Sequence, residues 1–270
     1  MKSIGIIGYG SMGAMILNGF LASGVLTEKE ILVSVNSPSS SNSLGSRHPS
    51  IETGTIEELA VACKTLFLCV KPMQTLGIIE RIEAVASGIP HIVSVAASVE
   101  FYNMENLSTC KITRVIPSIT SEIREGVTLM AHNSKVDDDS AKMVEHWFGT
   151  LGEVRLIQES DFEVGADLTS CAPGLFSAIL HHYIEAGMRY SQFTRSDTEA
   201  MVLNTFKATL HLLIEKEWTL SEMISRVATT GGITEEGINV LNRSLPDAFN
   251  EMFMATLDKH QVLKANLKNR

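Results

Sequence analysis

Short apolar runs alternate with helical patterns along the first half of the chain. Ser3–Gly8, Ile31–Val35, Thr65–Val70 and His91–Ala96 are β-rich runs of strand length, and Lys111–Ile116, Val127–Ala131 and Val154–Gln158 continue the series. Between them, Met12–Ser23, Ile56–Cys63, Gln74–Ala86 and Asp137–Thr150 carry apolar residues at helical spacing. Fully apolar strands separated by helices predict a mostly parallel sheet covered on both faces. After Glu159 the pattern is helical only, over Pro173–Tyr190, Asp197–Lys216, Leu220–Val227, Glu235–Asn242 and Pro246–Leu263. Leu175, Ile179, Tyr183, Ile184 and Met188 form one apolar stripe, and Phe206, Leu210, Leu213 and Ile214 a second. The expected division is an α/β domain over residues 1–160 and an all-α domain over residues 161–270. Such helical faces are buried internally or against a second copy of the chain. The Ser-rich segment Ser37–Ser43 reads as a loop.

Composition narrows the class. The chain has 270 residues, 44% of them hydrophobic, and a formal net charge of −9. That is enough apolar mass for a core and excludes a disordered chain. The negative balance, without a run of Lys or Arg, argues against nucleic acid as a partner. Cys63, Cys69, Cys110 and Cys171 lack metal-ligand spacing and read as reduced thiols, so no metal is expected and the expected location is the cytoplasm. No charge occurs from Ser3 to Thr27, but six glycines there fit a strand, a turn and a helix better than a signal peptide or membrane anchor.

Gly8-Tyr9-Gly10-Ser11-Met12-Gly13 directly follows an expected strand and opens an expected helix, the context in which a GxGxxG string reads as a dinucleotide loop. Gly8 permits the turn, Gly10 admits the pyrophosphate, and Gly13 lets helix and strand approach. Ser11 and Met12 offer helix N-terminal amides to the phosphates. The first domain is therefore expected to be of Rossmann type. At the end of the second strand stands Asn36, followed by Ser37, in place of the carboxylate that bonds the ribose hydroxyls in an NAD site. A carboxylate would repel a 2′-phosphate, whereas Asn and Ser donate hydrogen bonds to it, so NADP(H) is favoured over NAD(H).

Six strings in order now resemble the pyrroline-5-carboxylate reductase family along nearly the whole chain. They are Gly8–Gly13, Val70-Lys71-Pro72, Val93-Ser94-Val95-Ala96-Ala97, Arg114-Val115-Ile116-Pro117, the Thr169–Pro173 segment, and Thr229-Thr230-Gly231-Gly232-Ile233-Thr234. The resemblance implies a Rossmann domain joined to a helical dimerisation domain, and NADPH-dependent reduction of the C=N bond of 1-pyrroline-5-carboxylate to L-proline. It implies that Val70, Lys71 and Pro72 line the nicotinamide ribose and that Ala96 and Ala97 lie by the nicotinamide. It further implies that Thr229 and Thr234 act on the substrate, whose carboxylate rests on Gly231, Gly232 and Ile233 at a dimer interface. Ser118 and Cys171 stand where the family usually has Asn and Ser beside the substrate, and Leu175 where it has Tyr. For Cys171 a buried, inert thiol is the competing reading.

Ile116-Pro117-Ser118-Ile119-Thr120 and Ser170-Cys171-Ala172-Pro173 are similar to the divergent late competence protein ComER branch of that family. Two further readings follow from these departures: a paralogue acting on another imine, or a cofactor-binding regulatory protein with little turnover. A β-hydroxyacid dehydrogenase shares the two-domain plan but needs a catalytic Lys at the start of the helical domain, and no Lys lies between Lys142 and Lys207.

Overall fold

The computed structural model describes residues 2–86, 88 and 90–268. In chain order the elements are β1 (Lys2–Ile7), α1 (Ser11–Ser23), β2 (Ile31–Ser34), α2 (Pro38–Arg47), β3 (Glu52–Thr53), α3 (Ile56–Ala62), β4 (Cys63–Leu68) and α4 (Pro72–Val85). There follow β5 (His91–Ser94), α5 (Phe101–Glu105), β6 (Lys111–Ile116), β7 (Gly126–His132), α6 (Asp138–Gly149), β8 (Gly152–Leu156) and α7 (Phe162–Thr169). The remaining helices are α8 (Ala172–Met188), α9 (Arg195–Lys216), α10 (Leu220–Val227) and α11 (Ile233–Lys268). Two compact units result: one runs to Pro173 and resumes at Thr256, the other comprises Gly174–Ala255.

In the first unit eight strands form one sheet in the order β3-β2-β1-β4-β5-β6-β7-β8. Every pair is parallel except β6 with β7. The order reverses between β1 and β4, the switch point at which open α/β sheets bind ligands beyond the carboxyl ends of their strands. Both faces are covered, which explains the continuous apolar runs. Successive residues of β4 part company: Phe67 joins Phe20, Trp147 and Phe148 on one face, while Leu66 and Leu68 join Ile79, Ile82 and Ile92 on the other. The rings of Phe20 and Phe67 meet edge to face, with centroids 5.7 Å apart.

The second unit is built differently. Among the described residues, the three buried apolar clusters all belong to the first unit. In Gly174–Ala255 the helices are set by their caps: Thr194 Oγ1 accepts from the Asp197 amide, and Thr219 and Glu222 form a reciprocal capping box. Their apolar stripes lie open: Phe176, Ile179 and Tyr183 of α8 and Phe206 and Leu210 of α9 are all exposed.

Two expectations change. The Ser-rich segment forms helix α2: Pro38 sits in the first turn, Ser37 Oγ accepts from the Ser40 amide, and Leu44 is buried. The expected break before Pro246 does not occur, and α11 runs through it as one helix. Proline there removes the donor to the Asn242 carbonyl and crowds that carbonyl, a local cost that does not end a helix of 36 residues.

Candidate active site

The Gly8–Gly13 loop joins β1 to α1 at the switch point. Its three glycines have separable physical roles. Gly8 has φ +98°, and a Cβ there would meet the Cys69 carbonyl oxygen. A Cβ on Gly13 would strike the Gly8 carbonyl oxygen. At Gly10 nothing lies within 4 Å of the Cβ direction. Gly10 is exposed, Ser11 and Met12 begin α1, and no acidic side chain stands in the helix's first turn. Free amides at a helix N-terminus facing open space suit a pyrophosphate.

The other residues expected at the cofactor gather at the same strand ends. Asn36 is exposed two residues beyond β2. Ser37 caps α2 and its Oγ lies 3.1 Å from Ser39 Oγ and 2.9 Å from Ser40 Oγ, a cluster of hydroxyls at a helix N-terminus. Val70, Lys71 and Pro72 form the turn from β4 into α4, with Lys71 exposed at the cap and Pro72 in the first turn. Ala96 and Ala97 follow β5, Ala96 buried and Ala97 partly so. The residues thus come from the ends of β1, β2, β4 and β5.

Ser118, just past β6, is buried, and its hydroxyl is already engaged: Oγ donates to the Thr169 carbonyl at 3.3 Å and accepts from Thr120 Oγ1 at 3.0 Å. Cys171 is exposed, unlike Cys63, Cys69 and Cys110, against the expectation of a buried thiol. Partial burial and the Asp167 carboxylate push its thiol pKa up, so it is held protonated. Asp167, itself buried, accepts from Thr256 Oγ1 at 2.6 Å.

In the second unit, Thr229, Gly231 and Gly232 turn the chain from α10 into α11. Gly231 has φ +72°, and the Gly232 amide donates to the Thr229 carbonyl at 2.8 Å. Thr229, Thr234 and Ile233 are exposed. Glu235 was not singled out in the sequence, yet its Oε2 accepts from the Gly231 amide at 2.6 Å, so a carboxylate already rests on the turn. A Glu two residues into a helix is the signal that could have found it.

A doubly wound α/β unit with a glycine-lined phosphate turn, followed by a helical unit with open apolar faces, defines a dinucleotide-dependent two-domain protein. Residues 3–98 match the family described as "NADP oxidoreductase coenzyme F420-dependent", and residues 159–263 match "Pyrroline-5-carboxylate reductase dimerisation". Pyrroline-5-carboxylate reductase 3 of Bacillus subtilis (strain 168) is 33% identical over 97% of each chain. The chain belongs to the pyrroline-5-carboxylate reductase family. ComE operon protein 4 of the same organism is 24% identical over 96% of this chain and 95% of its own. The crystal structure of Plasmodium falciparum pyrroline carboxylate reductase with NADP bound shares the fold, at TM-score 0.83 and 20% identity over 98% of this chain and 97% of that one. Among the described residues no helix is long and apolar enough to cross a membrane, and no cluster of three or more His, Cys, Asp or Glu could hold a metal.

Proposed function

We propose that this protein is a pyrroline-5-carboxylate reductase that uses NADP(H) in the cytoplasm as a homodimer or a higher homo-oligomer built from dimers. The observation that carries the reading is the glycine turn, in which two glycines are forced by backbone crowding and the third, Gly10, faces open space. The bound nicotinamide would supply a hydride to the C=N carbon of the substrate. The chain's own residues then bind and orient. Gly10, Ser11 and Met12 hold the pyrophosphate, Asn36 and Ser37 the 2′-phosphate, Val70, Lys71 and Pro72 the nicotinamide ribose, and Ala96 and Ala97 the ring. The absence of a carboxylate at Asn36, with the Ser37, Ser39 and Ser40 hydroxyls beside it, supports NADP(H); the relative from P. falciparum is described with NADP bound.

Thr229 and Thr234 hold the substrate, with the Gly231–Gly232 turn receiving its carboxylate after Glu235 moves off the Gly231 amide. Ser118 and Cys171 are the further residues assigned to the substrate. An iminium carbon is already electrophilic, so positioning carries much of the barrier reduction and a protein acid is optional. The exposed faces of α8 and α9 support a second copy as the partner, since a unit without a buried apolar cluster needs one. The division of labour follows as residues 1–160 for the cofactor and 161–270 for dimerisation and substrate.

The Ser118 hydroxyl, engaged by Thr169 and Thr120, favours a second reading: a paralogue acting on another imine, or a competence-related protein with little turnover, as the similarity to ComE operon protein 4 suggests. Steady-state consumption of NADPH with 1-pyrroline-5-carboxylate, set beside direct cofactor binding, separates the two.

A further inference from the structure

Alternation along β6 puts Ile112, Arg114 and Ile116 on one face of the sheet. Arg114 is thus a cation in an apolar row, and it is only 2% exposed. Both terminal nitrogens of its guanidinium are engaged, while the buried Nε has no hydrogen-bond partner among the described residues. Nη1 donates to Glu159 Oε1 at 2.5 Å, and Nη2 donates to the Ala97 carbonyl. Its carbon lies 4.3 Å from the centroid of Phe162 and 5.9 Å from that of Phe101. Glu159 Oε1 also accepts from the Phe101 amide at 2.7 Å. A few residues along the same loop, Glu100 pairs with Lys264 of α11, which also meets Glu163. Arg114 therefore grips the loop after β5 at its backbone, and Lys264 grips it at a side chain.

A buried ion pair is weak evidence for stability, because apolar residues of similar size often replace it without loss. An aliphatic side chain would fill the space between Phe101 and Phe162 as well. What it could not do is fix the Ala97 carbonyl, since that takes a donor at a set distance and direction.

We propose that Arg114 is a positioning residue of the reductase, holding the Ala97 peptide so that the Ala96–Ala97 turn presents a fixed wall to the nicotinamide ring. This rests on the assignment of Ala96 and Ala97 to the nicotinamide. A misplacement of an ångström at the reacting end is enough to cost up to about 100-fold in rate, whereas the adenine half of the dinucleotide binds at the ends of β1 and β2 and is untouched.

The test compares the wild-type chain with Arg114→Met, Arg114→Lys and the double variant Arg114→Met/Glu159→Gln. The double variant removes both charges and leaves an acceptor for the Phe101 amide. Four quantities are read: thermal midpoint, affinity for adenosine 2′,5′-bisphosphate, emission of bound NADPH, and kcat and KM with 1-pyrroline-5-carboxylate. The double variant should keep its midpoint and its affinity for the adenosine bisphosphate. Its bound NADPH should emit differently from the wild type, and kcat should fall about tenfold or more. Lysine, one donor point for two acceptors, should restore part of that loss. Unchanged NADPH emission in a folded variant overturns the proposal. So does an equal loss of adenosine bisphosphate affinity, which would mark a general structural role. If the wild type binds NADPH but does not reduce the imine, the proposed substrate fails, and the emission comparison still decides the role of Arg114.

Discussion

The backbones of Gly8 and Gly13 approach so closely that a single methyl group on Gly13 would overlap the Gly8 carbonyl oxygen. Gly10, between them, has no atom within 4 Å of its Cβ direction. Two glycines of one motif therefore answer to the fold, and the third is left open for the proposed dinucleotide.

Their variants should separate accordingly. Gly13→Ala should lower stability by about 1–3 kcal/mol, the usual cost of overpacking, and cofactor affinity only as a consequence. Gly10→Val should unfold at the wild-type temperature yet lose most of its NADPH affinity. Calorimetry and NADPH titration on both variants check this; a Gly10→Val chain with wild-type affinity would remove the loop from the cofactor site.

Thr234→Ala should raise KM for the imine about tenfold, the scale of one hydrogen bond to a charged group, and leave NADPH affinity alone. Glu235→Gln should lower that KM, because a neutral amide competes less well than a carboxylate for the Gly231 amide. Steady-state kinetics with a parallel cofactor titration decides both; equal loss of the two affinities in Thr234→Ala would contradict the substrate assignment.

His91 gives the fold a pH dependence. Its Nε2 lies 2.7 Å from Thr113 Oγ1, which lies 2.7 Å from His132 Nδ1. Burial pushes its pKa down to about 4, with the neighbouring His132 adding to the effect. The folded chain thus keeps His91 neutral where the unfolded chain protonates it. Stability is full above the unfolded pKa of about 6.5, falls as pH drops towards 4, and levels off below. The expected contribution is up to ~3 kcal/mol. Urea unfolding at pH 7.5 and pH 5 should show the loss, and His91→Gln should flatten it; an equal slope in the variant would assign the dependence elsewhere.

The open stripe of α8 gives a test of assembly. Phe176→Glu with Tyr183→Glu should shift the protein from dimer to monomer in sedimentation, as charges desolvated at an interface oppose association. An unchanged dimer would place the interface on another surface.

Much of this was legible in the sequence because burial on both sides of the sheet leaves a continuous apolar signal, as in Thr65–Val70 and His91–Ala96. The glycine turn was legible for a different reason: its spacing is dictated by backbone contact. Helix α2 was not, since Ser39–Ser43 lack helix-forming side chains and the helix rests on the Ser37 cap, Pro38 and the buried Leu44. The continuity of α11 past Pro246 was hidden because an interior proline removes a backbone donor and crowds the carbonyl four residues back, which ordinarily marks a helix boundary. The grip of Arg114 on Ala97 joins residues 17 positions apart, and no local pattern announces it; the string Arg114–Pro117 marked the place but not the contact.

Reductase activity is measured as the rate of NADPH oxidation by the purified protein with 1-pyrroline-5-carboxylate, with NADH in parallel and proline quantified as product. Proline should form at ~1 s⁻¹ or faster, with NADPH used at lower concentrations than NADH. Tight NADPH binding without proline formation would rule out the reductase and leave a cofactor-binding paralogue in its place.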